Sequence, residues 1–487
     1  MTTKTWAPGE LAALLLLTSV ELVVFLDVSI VNVALPSIAK DLKVSSSNLQ
    51  WVVTAYQLAL GGFLLLGGRL ADLFGRRRML MLGLSIFTIS SLLCGLSQNI
   101  AWLIVTRACQ GIGSAITAPA ALSILTTVFS EGKERNTALG VWGALAGSGA
   151  AIGVLLGGII TSEISWRWIF FLNVPIGAAT LLLIPHILPE GARPGATKHL
   201  DLVGAFSVTI GLILIVYGVN HSINSGWSDA TTLLSVILGF LLLVTFVLVE
   251  SRTAEPLLQL AIFRLRQVTV ANILALLVFG SIFGLFFMLS LYMQDVLGYS
   301  ALKAGLAYFP LSFTVGVAAA GASQLVNKTG PKPVIAVGMT LVGAALLILS
   351  GVHVHAHYAS DLLLPFLLAA VGLGLSVVPV QVAAFSKVPE DEAGLASGLI
   401  NTTQEVGGAL MVAAVATISV SGLKSYFSAH ASSAHTPAQV KALTAVAQTQ
   451  GFHTGFLVAS ILAFIGVGLT LVALPNHKPD PGAPAAA

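Results

Sequence analysis

Four charged side chains stand inside long apolar stretches of this 487-residue chain: Glu21, Asp27, Arg107 and Glu405. At the centre of a bilayer each would cost about 2.5–3.5 kcal/mol on insertion scales, so each needs a chemical reason to be there. Asp27 lies six residues before the end of its apolar segment near Val33, and Arg107 lies six residues after its own segment begins at Ala101. At a rise of about 1.5 Å per residue, both sit about 9 Å below the same membrane surface, which permits pairing. The residues alone leave two readings open. One is a structural ion pair that satisfies two buried charges. In the other, Asp27 exchanges a proton or cation while Arg107 tunes its acidity through an opposite charge nearby. Glu21 precedes Asp27 by six positions, about 120° around a helix, so the two carboxylates cannot share one narrow seam. Glu21 and Glu405 both fall near the middle of their segments. A carboxylate there suits a proton carrier, or an acid that becomes an anion when a lipophilic cation arrives. For Glu405 the bland alternative is a protonated or backbone-bonded packing residue.

Two further groups of residues look structural or conformational. The connection from Gly68 to Arg78 packs Arg69, Asp72, Arg76, Arg77 and Arg78 between two apolar segments. Arginine so close to hydrocarbon must hydrogen-bond a partner or reach headgroups, and such clusters mark the cytoplasmic side. Gly68 and Gly75 let helix termini approach closely, and Asp72 can accept bonds from a helix N-terminus or an arginine. A plain positive anchor explains the arginines but not the fixed Gly-x-Leu-Ala-Asp-x-x-Gly-Arg-Arg spacing. In a later segment Gly143, Gly147, Gly149, Gly153 and Gly157, with Gly158 beside the last, form small-residue steps that bring helices close together.

The elements that must hold these residues are membrane-spanning helices. The chain is 56% apolar and only 9% charged, against about 25% charged in soluble domains. Apolar stretches of about 20 residues, each enough to cross a bilayer core, recur along nearly the whole length. Fourteen spans are expected, starting near Leu11, Leu49, Met79, Ala101, Thr137, Trp168, Leu202, Thr231, Val268, Leu302, Pro333, Leu362, Ala393 and Phe452. With the first terminus inside, 16 of the Lys and Arg residues fall inside, 6 outside, and Arg107 within a span. That bias places both termini in the cytoplasm. The first apolar segment is too long for a signal-peptide core and is expected to remain as a span. Cys94 and Cys109 both fall in spans, so no disulfide framework is implied.

The expected division is 1–187 as a six-helix bundle, 188–200 as a cytoplasmic linker, and 201–250 as two additional spans. Residues 251–475 then make a second six-helix bundle, and 476–487 a disordered tail rich in proline and alanine. An internal repeat supports this. At an offset of 255, Leu42 aligns with Leu297, Ser45 with Ser300, Leu70 with Leu325 and Gly75 with Gly330. In the second copy Asn327 stands for Asp72 and Gln324 for Arg69. Duplicated halves with a substrate site between them near the midplane are a transporter architecture.

The glycine–arginine connection resembles the loop between the second and third spans of the major facilitator superfamily. The chain is similar to the fourteen-span drug/proton antiporter branch of that family from about Leu11 to Leu474. Leu26-Asp27 through Leu35-Pro36 resembles its acidic first-span signature, and Arg107-Ala108-Cys109-Gln110-Gly111 its fourth-span motif. Trp166 to Gly177, Tyr292 to Ser300 and Asn401 to Gly408 resemble further family segments. The resemblance implies an all-α polytopic major facilitator fold and export of amphiphilic compounds, cationic or neutral, against protons by alternating access. It implies proton or cation contact at Glu21, Asp27 and Glu405, with Arg107 tuning Asp27. A conformational latch would involve Gly68, Arg69, Asp72, Gly75, Arg76 and Arg77, and helix packing Gly149, Gly153, Gly157 and Gly158. One departure stands out: the antiporters' fifth-span Gly-Pro steps are replaced by Gly149-Ala150 and Gly153-Val154.

The implied partners are an amphiphilic small molecule, protons and the bilayer of the cell's plasma (inner) membrane, with the protein acting as a monomer. The small charge of +3 gives no reason to expect a nucleic acid. No nucleophile–base set, metal spacing or phosphate loop appears, so neither an enzyme, a metal nor a cofactor is expected. A dedicated exporter of one metabolite, antibiotic or lipid remains an alternative, as does a non-transporting sensor. His353, His355 and His357 read as an interfacial cap on a helix end. The connection 422–451 reads as the longest outer loop, with a short helix starting at Thr436-Pro437.

Overall fold

The computed structural model describes residues 8–44, 46–129, 152–188, 201–253, 260–385, 393–433 and 436–475, with isolated positions between them. Fourteen apolar helical segments run through these residues, with no strand among them. The first group is α1 (Pro8–Leu42), α2 (Ser46–Phe74), α3 (Arg76–Gly95), α4 (Ile100–Val128), α5 (Ile152–Glu163) and α6 (Trp168–Ile187). An extra pair follows, α7 (Leu202–Ser225) and α8 (Ala230–Glu250). The last six are α9 (Arg266–Leu291), α10 (Ala301–Thr329), α11 (Pro331–Leu349), α12 (Leu363–Phe385), α13 (Ala393–His430) and α14 (Pro437–Ala473). Ser45, Thr137, Gly143, Gly147, the side chains of Asp72 and Asn327, most of the 188–200 linker and the 476–487 tail lie outside the described residues.

Local sequence sets where several helices begin. The side chains of Asn99, Asp201, Asp229 and Ser300 accept bonds from backbone N–H groups two or three residues on, satisfying donors that the first helical turn leaves open. Thr436 and Gln439 form a reciprocal capping box. The helix they start does not stop before the membrane. It continues for 37 residues, and α13 runs on to His430, so the stretch read as a long outer loop is mostly two helical extensions. The apolar pattern breaks where those helices leave hydrocarbon, but backbone bonding within each helix does not. For the same reason α1 outlasts its apolar segment and ends at Leu42. His353, His355 and His357, by contrast, lie in a turn after α11 rather than on a helix.

The duplication is visible in backbone geometry. Gly75 between α2 and α3 has φ +96°, and Gly330 between α10 and α11 has φ +83°, a conformation that side-chain-bearing residues seldom adopt. The next helix pairs cross at equivalent glycines. A Cβ on Gly83 would stand 2.8 Å from Gly113 O and 2.5 Å from Thr117 Oγ1, and one on Gly338 would stand 2.7 Å from Gly372 O and 2.5 Å from Ser376 Oγ. Thr117 and Ser376 each bond back to their glycine carbonyl at 2.7 Å. These positions repeat at offsets of both 255 and 259, which a search at one constant offset misses. The position equivalent to Arg107 is Phe366, fully buried. Arg107 therefore has an apolar counterpart.

The two bundles meet along α2 and α13, and α7 packs against both. Leu58, Leu212, Val216, Ala409 and Ala413 form one buried cluster there. Among the described residues, three hydrogen bonds join the bundles: Ser290 Oγ to Asn32 O at 2.6 Å, Gln294 Nε2 to Val33 O at 3.0 Å, and Leu302 N to Ser162 Oγ at 2.9 Å. All three lie at the end of the molecule opposite Arg76–Arg78, so the bundles are held together at that end.

Candidate functional site

Asp27 sits at the centre of a buried polar network inside the first bundle. Its Oδ2 accepts from Arg107 Nη1 at 2.5 Å. Its Oδ1 accepts from Gln110 Nε2 at 2.9 Å and Asn173 Nδ2 at 2.8 Å. Arg107 also donates from Nε to Val52 O at 3.0 Å and from Nη1 to Gln110 Oε1 at 2.8 Å. Its guanidinium lies 4.2 Å from the centre of the Tyr56 ring, an arrangement favourable for a cation when desolvated. Asn173 reaches Ser91 Oγ at 3.1 Å, and Ser91 in turn donates to Phe170 O at 2.9 Å. Four helices thus hold one carboxylate. The sequence suggested only the Asp27–Arg107 pairing. Ser91 carried no signal beyond being a polar residue in an apolar span, and Gln110 and Asn173 appeared only as parts of family segments.

Glu21 lies on a different face of α1 from Asp27 and belongs to another environment. Glu405, on α13 of the second bundle, is close enough for its charge to act on Glu21. One oxygen of each carboxylate is buried without a hydrogen-bond partner. Beside Glu405 the α2 backbone comes very close: a Cβ on Gly61 would stand 3.0 Å from Glu405 Cβ. Two carboxylates from different bundles are therefore within electrostatic reach of each other. Like charges so placed cannot both be ionised cheaply unless a cation or a proton joins them.

The remaining sequence candidates are spread elsewhere. Arg76 Nη1 donates to Ser123 O at 3.2 Å and Thr127 Oγ1 at 2.5 Å. Arg77 donates to Leu188 O at 3.1 Å and Pro185 O at 3.2 Å. These bonds tie the connection to α4 and to the end of α6, within the first half of the chain. Gly68 lies beside Pro119 of α4, and Arg69 is half-buried in the last turns of α2. The fifth-span glycines divide by face. Gly149, Gly153 and Gly157 pack on α1 at Leu22, Leu26–Ser29 and Ile30, whereas Gly158 meets Ala301 and Leu302 of α10 in the other bundle. Among the described residues no group of His, Cys, Asp and Glu has metal-binding geometry.

The sequence pattern of the Major Facilitator Superfamily matches residues 17–412. The puromycin resistance protein of Streptomyces alboniger is 38% identical over 429 residues, 88% of this chain and 85% of that protein. The cephamycin export protein of Amycolatopsis lactamdurans is 40% identical over 413 residues, 84% of this chain and 85% of its own. A solved bacterial homolog of the human lysosomal transporter Spinster, in an inward-facing and unoccupied conformation, aligns with a TM-score of 0.67 at 17% identity, over 96% of this chain and 98% of its own. That last likeness is one of fold.

Proposed function

The chain belongs to the major facilitator superfamily, and from that premise we propose that it exports amphiphilic small molecules, cationic or neutral, in exchange for protons. Relatives named for puromycin resistance and cephamycin export support outward transport of a small molecule. The observation that carries the exchange is that Glu21 and Glu405, from opposite bundles and within electrostatic reach, each have a buried oxygen lacking a partner. A cationic cargo or a proton can settle that site, and the two compete for it. Competition at one site is what couples opposite flows. The Asp27–Arg107 network supports the seam from within the first bundle and holds a second exchangeable carboxylate.

Alternating access follows from rocking 1–187 against 251–475. The arginine-rich end is cytoplasmic and both termini lie there, in keeping with the bias of Lys and Arg along the chain. The bonds between the bundles at the far end support reading this arrangement as inward-facing. In the outward-facing state Gly68, Arg69, Asp72, Gly75, Arg76 and Arg77 form the latch that holds the cytoplasmic ends together. One proton exchanged for one monovalent cation moves no net charge, so the driving force is about 1.4 kcal/mol per pH unit. A neutral cargo draws on the membrane potential as well, about 2.3 kcal/mol per 100 mV for each proton.

Proteoliposomes with an imposed pH gradient test this reading. Ethidium should accumulate only while the gradient stands, and an ionophore that dissipates it should release the dye. Absence of gradient-dependent flux both for ethidium and for an uncharged amphiphile would remove the proposal.

A further inference from the structure

Both carboxylate oxygens of Asp27 are bonded. Glu21 and Glu405 each have an oxygen that is not. Among the described residues, 16 buried side-chain atoms have no hydrogen-bond partner, and 9 of them belong to Glu21, Gln50, Thr54, Gln57, Thr402, Gln404 and Glu405. An unsatisfied buried polar group costs about 1–3 kcal/mol, so such a concentration is not a neutral feature of packing.

The placement of these residues is regular. Gln50, Thr54, Gln57 and Gly61 lie at spacings of four, three and four on α2, which puts them on one helix face. At Gly61 that face meets Glu405, as described above. At Gln57 it meets Gly408, where an added Cβ would stand 2.8 Å from Gln57 Nε2 and 2.4 Å from Phe283 Cδ2 of α9. An amide from one bundle and an aromatic ring from the other thus crowd onto one point, one helical turn from the carboxylate. Gln50 and Gln57 are both fully buried, with neither end of either amide bonded. The side of the seam towards α7 is closed where a Cβ on Gly62 would stand 2.4 Å from Thr209 Oγ1.

We propose that the α2 stripe Gln50–Thr54–Gln57, facing Phe283 and Glu405, selects cargo that carries hydrogen-bonding groups beside its positive charge. The carboxylate takes the cation, the Phe283 ring takes the flat apolar body, and the amides take amino, amide or hydroxyl groups at its edge. A site built to hydrogen-bond such groups discriminates strongly against an analogue lacking them, because its own polar atoms then stay unpaired. This inference rests on the export reading above and narrows its substrate class. It separates the seam into a charge-reading half on α1 and α13 and a polarity-reading half on α2.

Two monovalent lipophilic cations distinguish the halves. Ethidium carries two exocyclic amino groups on a flat ring system, whereas tetraphenylphosphonium has no hydrogen-bonding group. Equilibrium binding of each to the purified full-length protein would be compared for wild type, Gln57→Met, Thr54→Val and Glu405→Gln. Gln57→Met should weaken ethidium about tenfold, the equivalent of one hydrogen bond, and leave tetraphenylphosphonium within about twofold. Thr54→Val should act in the same direction, and Glu405→Gln should weaken both cations. Retained tetraphenylphosphonium binding also reports that each α2 variant is folded. Equal losses for the two cations in the α2 variants, or no loss for ethidium, would overturn the proposal while leaving export standing. Wild-type protein that binds neither cation would overturn the cationic export reading and this inference with it.

Discussion

Asp27 and Arg107 form an ion pair of 2.5 Å with side chains 0% and 1% exposed. Every oxygen of the carboxylate is bonded, and the arginine is further held by a backbone carbonyl and an aromatic face. Breaking one partner of such a pair costs about 3–5 kcal/mol because a buried charge is left alone. Arg107→Met should therefore lower the melting temperature sharply in detergent. Arg107→Met combined with Asp27→Asn should regain part of the loss, since no uncompensated charge remains. A double variant that melts no higher than the single one would show that the two side chains do not act as a pair.

Two glycines on α5, five residues apart, give a second contrast. A Cβ on Gly153 would stand 2.0 Å from Ser29 Oγ within the first bundle, whereas one on Gly158 would stand 2.9 Å from Ala301 O and from Leu302 Cα in the second. Gly153→Val is expected to destabilise the protein. Gly158→Val should instead leave the melting temperature near that of the wild type and slow transport several-fold, because it obstructs closure between bundles. Equal thermal losses for the two variants would contradict the division of the faces.

The contact between Leu302 N and Ser162 Oγ at 2.9 Å offers a way to stop the bundles moving. With Cys109 replaced by alanine, Ser162→Cys paired with Leu302→Cys should cross-link on oxidation. Ethidium transport should then cease and return with a reductant. Undiminished transport by fully cross-linked protein would mean that the bundles need not separate at this end.

Much of this architecture is legible in the sequence because hydrocarbon imposes a simple rule. Every span must be helical and apolar, so fourteen segments stand out before any contact is known. Charges inside them are rare enough to be noticed, and Asp27 and Arg107 could be paired by depth alone. Gln50, Thr54 and Gln57 escaped notice because uncharged polar residues are common in apolar helices, and only the structure shows that their amides and hydroxyl lack partners. The extensions of α13 and α14 were hidden for a different reason: their polarity resembles that of a loop. The second pair of crossing glycines, Gly113 and Gly372, escaped because the repeat slips from an offset of 255 to 259 between adjacent helices.

The divided use of carboxylates also bears on coupling. Asp27 is satisfied within one bundle, whereas Glu21 and Glu405 come from opposite bundles, so the proposed rocking would change their relationship. Glu405→Gln should therefore abolish gradient-driven ethidium accumulation in proteoliposomes. Dye exchange between equal concentrations on the two sides, which requires no coupling, should fall less. Loss of both to the same extent would assign Glu405 to cargo binding alone.

Exchange of proton for cation at the seam is most directly tested by counting protons. Purified protein in weakly buffered detergent, at a pH where the seam is protonated, should release protons when tetraphenylphosphonium is added, and the release should saturate with binding. The Glu21→Gln/Glu405→Gln double variant should release none. Saturable cation binding without proton release in the wild type at any pH, or undiminished release in the double variant, would contradict exchange at this site.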